Sequence, residues 1–175
     1  TAKILGLGFP GGPAVERAAA DGNASAVPLP RPLKGADEPH FSFAGLKSAV
    51  LRAHETGQYR VEDIAASFQQ AVVDCLRDRL SYSVDRMETL PALVVAGGVA
   101  ANGAIRTMLT DFAAAQGMRF VAPPLWLCTD NGAMIAWAGA ERFAAGLTDG
   151  LDFVARPRWP LDPKAAPARG AGVKA

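Results

Sequence analysis

Pro91-Ala92-Leu93-Val94-Val95-Ala96-Gly97-Gly98-Val99-Ala100-Ala101-Asn102 decides how the rest of the chain is read. Residues 92–96 are continuously apolar, too few for a helix and partly β-branched, which predicts a strand buried on both faces. The run passes through Gly97-Gly98 to Asn102, a preferred helix N-cap, so a glycine turn joins the strand to a helix. That helix is expected over 102–116, with Ile105, Leu109, Phe112 and Ala113 as its buried stripe and Gly117 as its stop. Arg119-Phe120-Val121 reads as a second strand, ended by Pro123-Pro124. Strand, crossover helix and strand in this order imply a right-handed parallel unit and an α/β class.

Upstream of this unit, Val61, Ile64, Ala65, Phe68, Val72, Cys75, Leu76 and Leu80 recur at three- and four-residue spacing. They predict the longest helix, over 61–87, with that face in the core. Residues 21–39 carry Pro28, Pro30, Pro32 and Pro39 among Gly, Asn and Asp, and read as an extended loop holding the basic Arg31 and Lys34. His40-Phe41-Ser42-Phe43 alternates like a short strand, and 45–54 turns helical. Nearer the start, a short apolar piece runs to Phe9, and Pro10-Gly11-Gly12-Pro13 reads as a turn before a helix over 14–20. Downstream, 130–145 is expected to be helical, with Ala133, Trp137, Ala140 and Ala144 facing inward. Residues 163–175 are Ala, Pro, Gly and Lys, too poor in apolar surface to offset ordering, and are expected to be disordered.

The 175 residues fit one domain or one lobe of a larger protein, and half are hydrophobic. A net charge of +1 gives no general attraction to polyanions, so any nucleic acid would need a local basic patch or a partner's charge. Cys75 and Cys128 have neither metal-ligand spacing nor a disulfide-framework count, which points to a reducing, cytoplasmic setting. No apolar run is long enough to span a bilayer, so no membrane association is expected. The first residues, Thr1-Ala2-Lys3, begin mid-pattern, as a piece of a longer protein would.

Each candidate site carries two readings. Gly97 and Gly98, between a strand and a helix start, suit an anion such as a phosphate, or merely make a tight turn that Asn102 caps. Gly11-Gly12 followed by Glu16 offers a backbone turn and a carboxylate to a ribose, or a rigid turn and a solvent-facing acid. Asp130 is a helix cap or a metal ligand. His40 and His54 lack the spacing of a ligand pair on one helix and read as structural or surface residues. Cys128 has no basic partner and reads as an inert core residue.

Six segments in order carry a more specific signal: Leu5-Gly6-Leu7-Gly8-Phe9-Pro10-Gly11-Gly12-Pro13, Phe41-Ser42-Phe43-Ala44-Gly45-Leu46-Lys47, Asp63-Ile64-Ala65-Ala66-Ser67-Phe68-Gln69, Ala96 to Asn102, Cys128-Thr129-Asp130-Asn131-Gly132-Ala133-Met134-Ile135-Ala136 and Arg156-Pro157-Arg158-Trp159. Through them the chain resembles the C-terminal part of the TsaD family, also called Gcp or YgjD and formerly labelled an O-sialoglycoprotein endopeptidase. The resemblance implies an actin-like ATPase fold (ASKHA, ribonuclease H-like), with residues 1–162 as the C-terminal lobe of a two-lobed protein. It implies transfer of threonylcarbamoyl from threonylcarbamoyl-AMP to the adenosine beside the anticodon of tRNA. Gly12, Glu16 and Asn102 would contact the nucleotide, and Asp130 would be a ligand of one iron or zinc ion. ATP, tRNA and TsaB-like and TsaE-like subunits would be its partners.

The family's His-x-x-x-His metal pair is absent from these residues, so this piece alone is expected to be inactive, and no residue is assigned as a general base. An actin-fold small-molecule kinase is the alternative within the same fold. The old metalloprotease label lacks support, because His-Glu-x-x-His occurs nowhere in the chain.

Overall fold

A computed structural model describes residues 1–154, which fall into two compact units, the first spanning Thr1–Asn131 and the second beginning at Gly132. In chain order the elements are helices α1 (Gly11–Ala20), α2 (Leu46–Glu55) and α3 (Val61–Val84), strand β1 (Ala92–Val94), a 3-10 turn (Gly98–Ala101), helix α4 (Gly103–Ala115), strand β2 (Arg119–Val121), a 3-10 turn (Leu125–Leu127) and helix α5 (Gly132–Ala144). The expected lobe boundary at 162, the tail over 163–175 and the segment Arg156-Pro157-Arg158-Trp159 lie outside the described residues.

The first unit is organised by α3, whose length lets it serve two hydrophobic clusters. Its N-terminal half packs Ile64, Ala65, Ala66 and Ala71 against Val15 and Ala19 of α1, Leu46, Val50 and Ala53 of α2, and Val27 and Leu29 of the proline-rich loop. Its C-terminal half lays Val73, Leu76 and Leu80 on a second cluster built from Ile105, Met108, Leu109, Phe112 and Ala113 of α4 and Met118. Val72 packs against both clusters. Every residue of the expected α3 and α4 stripes is thus buried or packed against a buried cluster.

β1 and β2 pair in parallel, with Ala92 opposite Arg119, Leu93 opposite Phe120 and Val94 opposite Val121. α4, the helix that joins them, ends at Ala115. Met118 N–H then donates to Ala113 O (2.9 Å) and Gly117 N–H to Ala114 O (3.1 Å). This paired closure of the last turn lets the chain enter β2 after three residues. The expectation of a strand buried on both faces is corrected: Leu93 packs on the second cluster, whereas Val94 is 70% exposed. Side chains alternate along a strand, and within this unit one face of the pair is covered.

Three further expectations change. Gly11 and Gly12 do not make a turn ahead of the helix but form its first turn, with Pro10 as the N-cap and Pro13 inside. The missing N–H of Pro13 costs nothing there, since first-turn amides have no intrahelical acceptor. Residues 40–43 form no strand, because no segment among the described residues pairs with them. Nothing in α5 is buried, and Trp137 is 71% exposed, because the described part of the second unit holds no other helix or strand for its stripe to pack against.

Segment 21–39 holds no helix or strand, but the expected extended course is broken by turns at residues 24–25 and 32–35, and the segment is not free. It runs along α3 in the same direction, tied at successive turns. Asn23 N–H donates to Asp63 Oδ1 (2.8 Å), Val27 N–H to Ser67 Oγ (3.1 Å), Arg31 Nε to Asp74 Oδ2 (2.9 Å) and Gly35 N–H to Asp78 Oδ2 (3.0 Å). Beyond these, the Arg79 guanidinium holds the carbonyls of Ala36 and Glu38. Cys75, beside this loop, has its thiol pushed up by burial and by the Asp74 carboxylate, so it stays neutral and inert.

Candidate functional site

Three helices meet at the N-terminus of α4. Asn102 caps that helix as expected, its Oδ1 accepting from Ile105 N–H at 3.0 Å. Its Nδ2 donates to Oε1 of Gln69 on α3 at 2.9 Å. Glu16, on α1, reaches across 87 positions of sequence to accept from Gly103 N–H at 2.6 Å. A carboxylate on a first-turn amide is favoured both by the free N–H and by the positive end of the helix dipole. The solvent-facing reading of Glu16 is therefore corrected: Oε1 is committed to α4, which leaves Oε2 to accept from a ligand hydroxyl.

Between β1 and this helix start the backbone makes the turn that the glycines predict. Gly97 takes φ 87°, a region that penalises any side chain, and the 3-10 turn follows from Gly98. The exposed N–H groups of Gly97 and Gly98 donate to no described residue. They, rather than Gly103, are the donors open to an anion.

The two parallel strands deliver their following segments to the same edge. Gly97, Gly98 and Asn102 lie beyond the carboxyl end of β1, and Cys128 to Asp130 beyond that of β2, the edge at which open α/β sheets bind ligands. The two segments are neighbours, since a side chain placed on Gly98 would stand 3.9 Å from Cys128 O. Gly12 sits on α1 one turn before Glu16, exposed and with open space around it, and no hydrogen bond among the described residues ties it to the Gly97 turn. Glu16 and Asn102 are thus brought together, Gly97 and Gly98 adjoin them, Asp130 follows a segment in contact with Gly98, and Gly12 stands at the margin.

Gln69 was not among the residues singled out as ligands. It is a polar residue at stripe spacing from Ala65 and Val72, and that position and its place at the end of Ser67-Phe68-Gln69 are the signals for it. Cys128 is buried, its thiol 3.7 Å from Pro123 O, as an inert core residue should be.

Asp130 is exposed. Among the described residues no three His, Cys, Asp or Glu side chains stand close enough together to hold a metal ion. A stable site for iron or zinc needs three or more protein ligands, so these residues alone do not fit one. The 175-residue chain, dialysed after loading with iron or zinc, is expected to retain far less than one ion per chain. A stoichiometric ion in elemental analysis, lost on Asp130→Ala, would contradict this. No helix among the described residues is long and apolar enough to cross a membrane.

Comparison with known proteins adds a second line of observation. The family model described as "TsaD: tRNA N6-adenosine threonylcarbamoyltransferase" matches residues 1–137. Curated proteins named tRNA N6-adenosine threonylcarbamoyltransferase are similar along the whole chain. That of Sphingopyxis alaskensis is 73% identical over 175 residues, that of Erythrobacter litoralis 69% over 175, and that of Zymomonas mobilis 64% over 179. All of this chain is covered in each case, but only 51%, 51% and 49% of the relative. The chain spans about half the length of the curated relatives it matches.

Proposed function

The chain belongs to the TsaD family, and from that membership we propose that it supplies the nucleotide-facing part of a cytoplasmic enzyme that makes threonylcarbamoyladenosine on tRNA. The proposed fold is a lobe of the actin-like ATPase class. The observation that carries the reading is the clasp between Glu16 and Gly103 beside the Asn102 cap, which brings a carboxylate from α1 to the helix start that follows the Gly97-Gly98 turn.

In this proposal the N–H groups of Gly97 and Gly98 donate to phosphate oxygens of ATP or threonylcarbamoyl-AMP, with Gly12 alongside. Oε2 of Glu16 accepts from a ribose hydroxyl, and Asn102 donates its remaining amide hydrogen. Held this way, the mixed anhydride presents its carbonyl to the exocyclic amine of adenosine; the amine forms the new C–N bond and AMP leaves with the electron pair of the broken C–O bond. The chain's own part is binding and orientation, which by themselves supply much of the rate in such transfers. An iron or zinc ion touching Asp130 would have to take its other ligands from outside the described residues, and no step here is derived through it. tRNA and TsaB-like and TsaE-like subunits complete the proposed assembly.

The test uses the complete polypeptide with its partner subunits, ATP, threonine, bicarbonate and unmodified tRNA, scored by mass spectrometry of the nucleosides. Glu16→Ala and Asn102→Ala should each lower kcat/KM by about tenfold or more, the cost of losing one or two charge-assisted or buried hydrogen bonds. Glu16→Gln, which keeps an acceptor for Gly103, should fall less. Wild-type rates in both alanine variants would refute the proposed site.

A further inference from the structure

The geometry points to Gln69 as a positioning residue that holds the Asn102 side chain still, so that its free amide N–H meets a bound nucleotide; this rests on the nucleotide reading of the site. Asn102 has one carbonyl oxygen and two amide hydrogens to dispose of. The oxygen is committed to Ile105 N–H at 3.0 Å, and one hydrogen is committed to Gln69 Oε1 at 2.9 Å. With both ends of the amide engaged by different helices, a flip would set the Asn102 NH2 against the Ile105 N–H, which cannot invert. That clash is not tolerable in a half-buried site, so one orientation survives, and it offers a ligand a single N–H donor. The α4 cap alone specifies the oxygen but leaves the side chain free to rock about χ1. The bond to α3 removes that freedom, and α3 is anchored in both hydrophobic clusters. Gln69 itself need not touch the ligand.

The test measures adenosine and AMP binding to the complete polypeptide by calorimetry. Gln69→Met removes the acceptor at nearly unchanged length and volume, and should weaken adenosine and AMP alike by about three- to tenfold, the worth of one hydrogen bond. Gln69→Glu restores an acceptor for Asn102 and should return adenosine affinity to within about twofold of wild type. The same variant adds a negative charge near the site, so AMP should remain weaker than adenosine relative to wild type. The melting temperature of Gln69→Met should stay close to that of wild type while affinity falls; a purely structural role for Gln69 would lower both together. Wild-type affinity in Gln69→Met, with Glu16→Ala clearly weakened in the same assay, would overturn the inference and leave the site reading standing. Failure of Gln69→Glu to restore adenosine binding would also overturn it. If Glu16→Ala and Asn102→Ala both bind AMP as wild type does, the nucleotide reading itself falls and takes this inference with it.

Discussion

Arg79→Met is expected to lower the unfolding free energy by about 3 kcal/mol, the largest single loss available among the charged residues. The side chain is 2% exposed, and its guanidinium is satisfied on every side. Nε and NH2 donate to Asp78 Oδ2 at 2.8 and 2.5 Å, and NH1 donates to Ala36 O and Glu38 O at 2.6 and 2.7 Å. Methionine fills much of the space but takes the Arg79 donors from two loop carbonyls and leaves the Asp78 carboxylate only the Gly35 N–H. Breaking a buried ion pair from one side costs about 3–5 kcal/mol. The lower end applies, since the Asp78 side chain is 24% exposed and water can reach it. Urea unfolding would check this, and a loss under about 1 kcal/mol would mean that the loop carbonyls find water instead.

The same variant should change the acid limb of stability. Burial pushes the Asp78 carboxyl up, but the Gly35 N–H and the Arg79 guanidinium outweigh it, and the carboxyl sits below its ordinary value of 3.8. A depressed carboxyl contributes stability above its unfolded pKa and loses it as pH falls through the lower folded value. Removing Arg79 forfeits part of that contribution, so the gap between wild type and Arg79→Met should narrow as pH drops below about 4. A gap constant from pH 7 to pH 3 would assign the loss to packing alone.

Gly22→Ala should cost about 3 kcal/mol, far more than the usual exchange of these two residues. A side chain at position 22 would stand 2.0 Å from Glu62 O, 2.4 Å from Glu62 C and 2.9 Å from the Ala66 side chain. The first two are backbone atoms in the opening turn of α3, so relief requires moving the helix or the loop. Moving the loop disturbs the Asn23 to Asp63 and Val27 to Ser67 bonds that follow at once. Ala66→Gly in the Gly22→Ala background should recover little, because the carbonyl clash remains. Full recovery in thermal melts would show that Ala66 was the obstacle and the carbonyl could move.

What the sequence disclosed and what it withheld divide along physical lines. The α4 stripe, its Asn102 cap, the Gly97 turn and the parallel partner strand all follow from local spacing, and local spacing states which side chains share a face. It does not state what covers that face. Val94 and Trp137 belong to apolar patterns, yet both are exposed, because the described residues of their own units leave them uncovered. The opposite omission concerns Ser67 and Arg79, polar α3 residues that no apolar pattern claims, which are buried by a loop some 40 positions earlier. In the site, Glu16 and Asn102 were legible as candidates, while their join through Gly103 and the role of Gln69 were not. Each of those depends on a contact between helices far apart in sequence.

The strap along α3 also bears on synthesis. Each of its described bonds to α3 links residues 40 to 45 positions apart, with the strap always the earlier partner. On a ribosome adding about 5–20 residues per second, the strap therefore waits roughly 2–9 s for the helix that will hold it. A segment that must wait in water is best made of prolines and charges, which neither collapse nor recruit neighbouring chains. The composition of residues 28–39 suits that interval as well as it suits the finished contact.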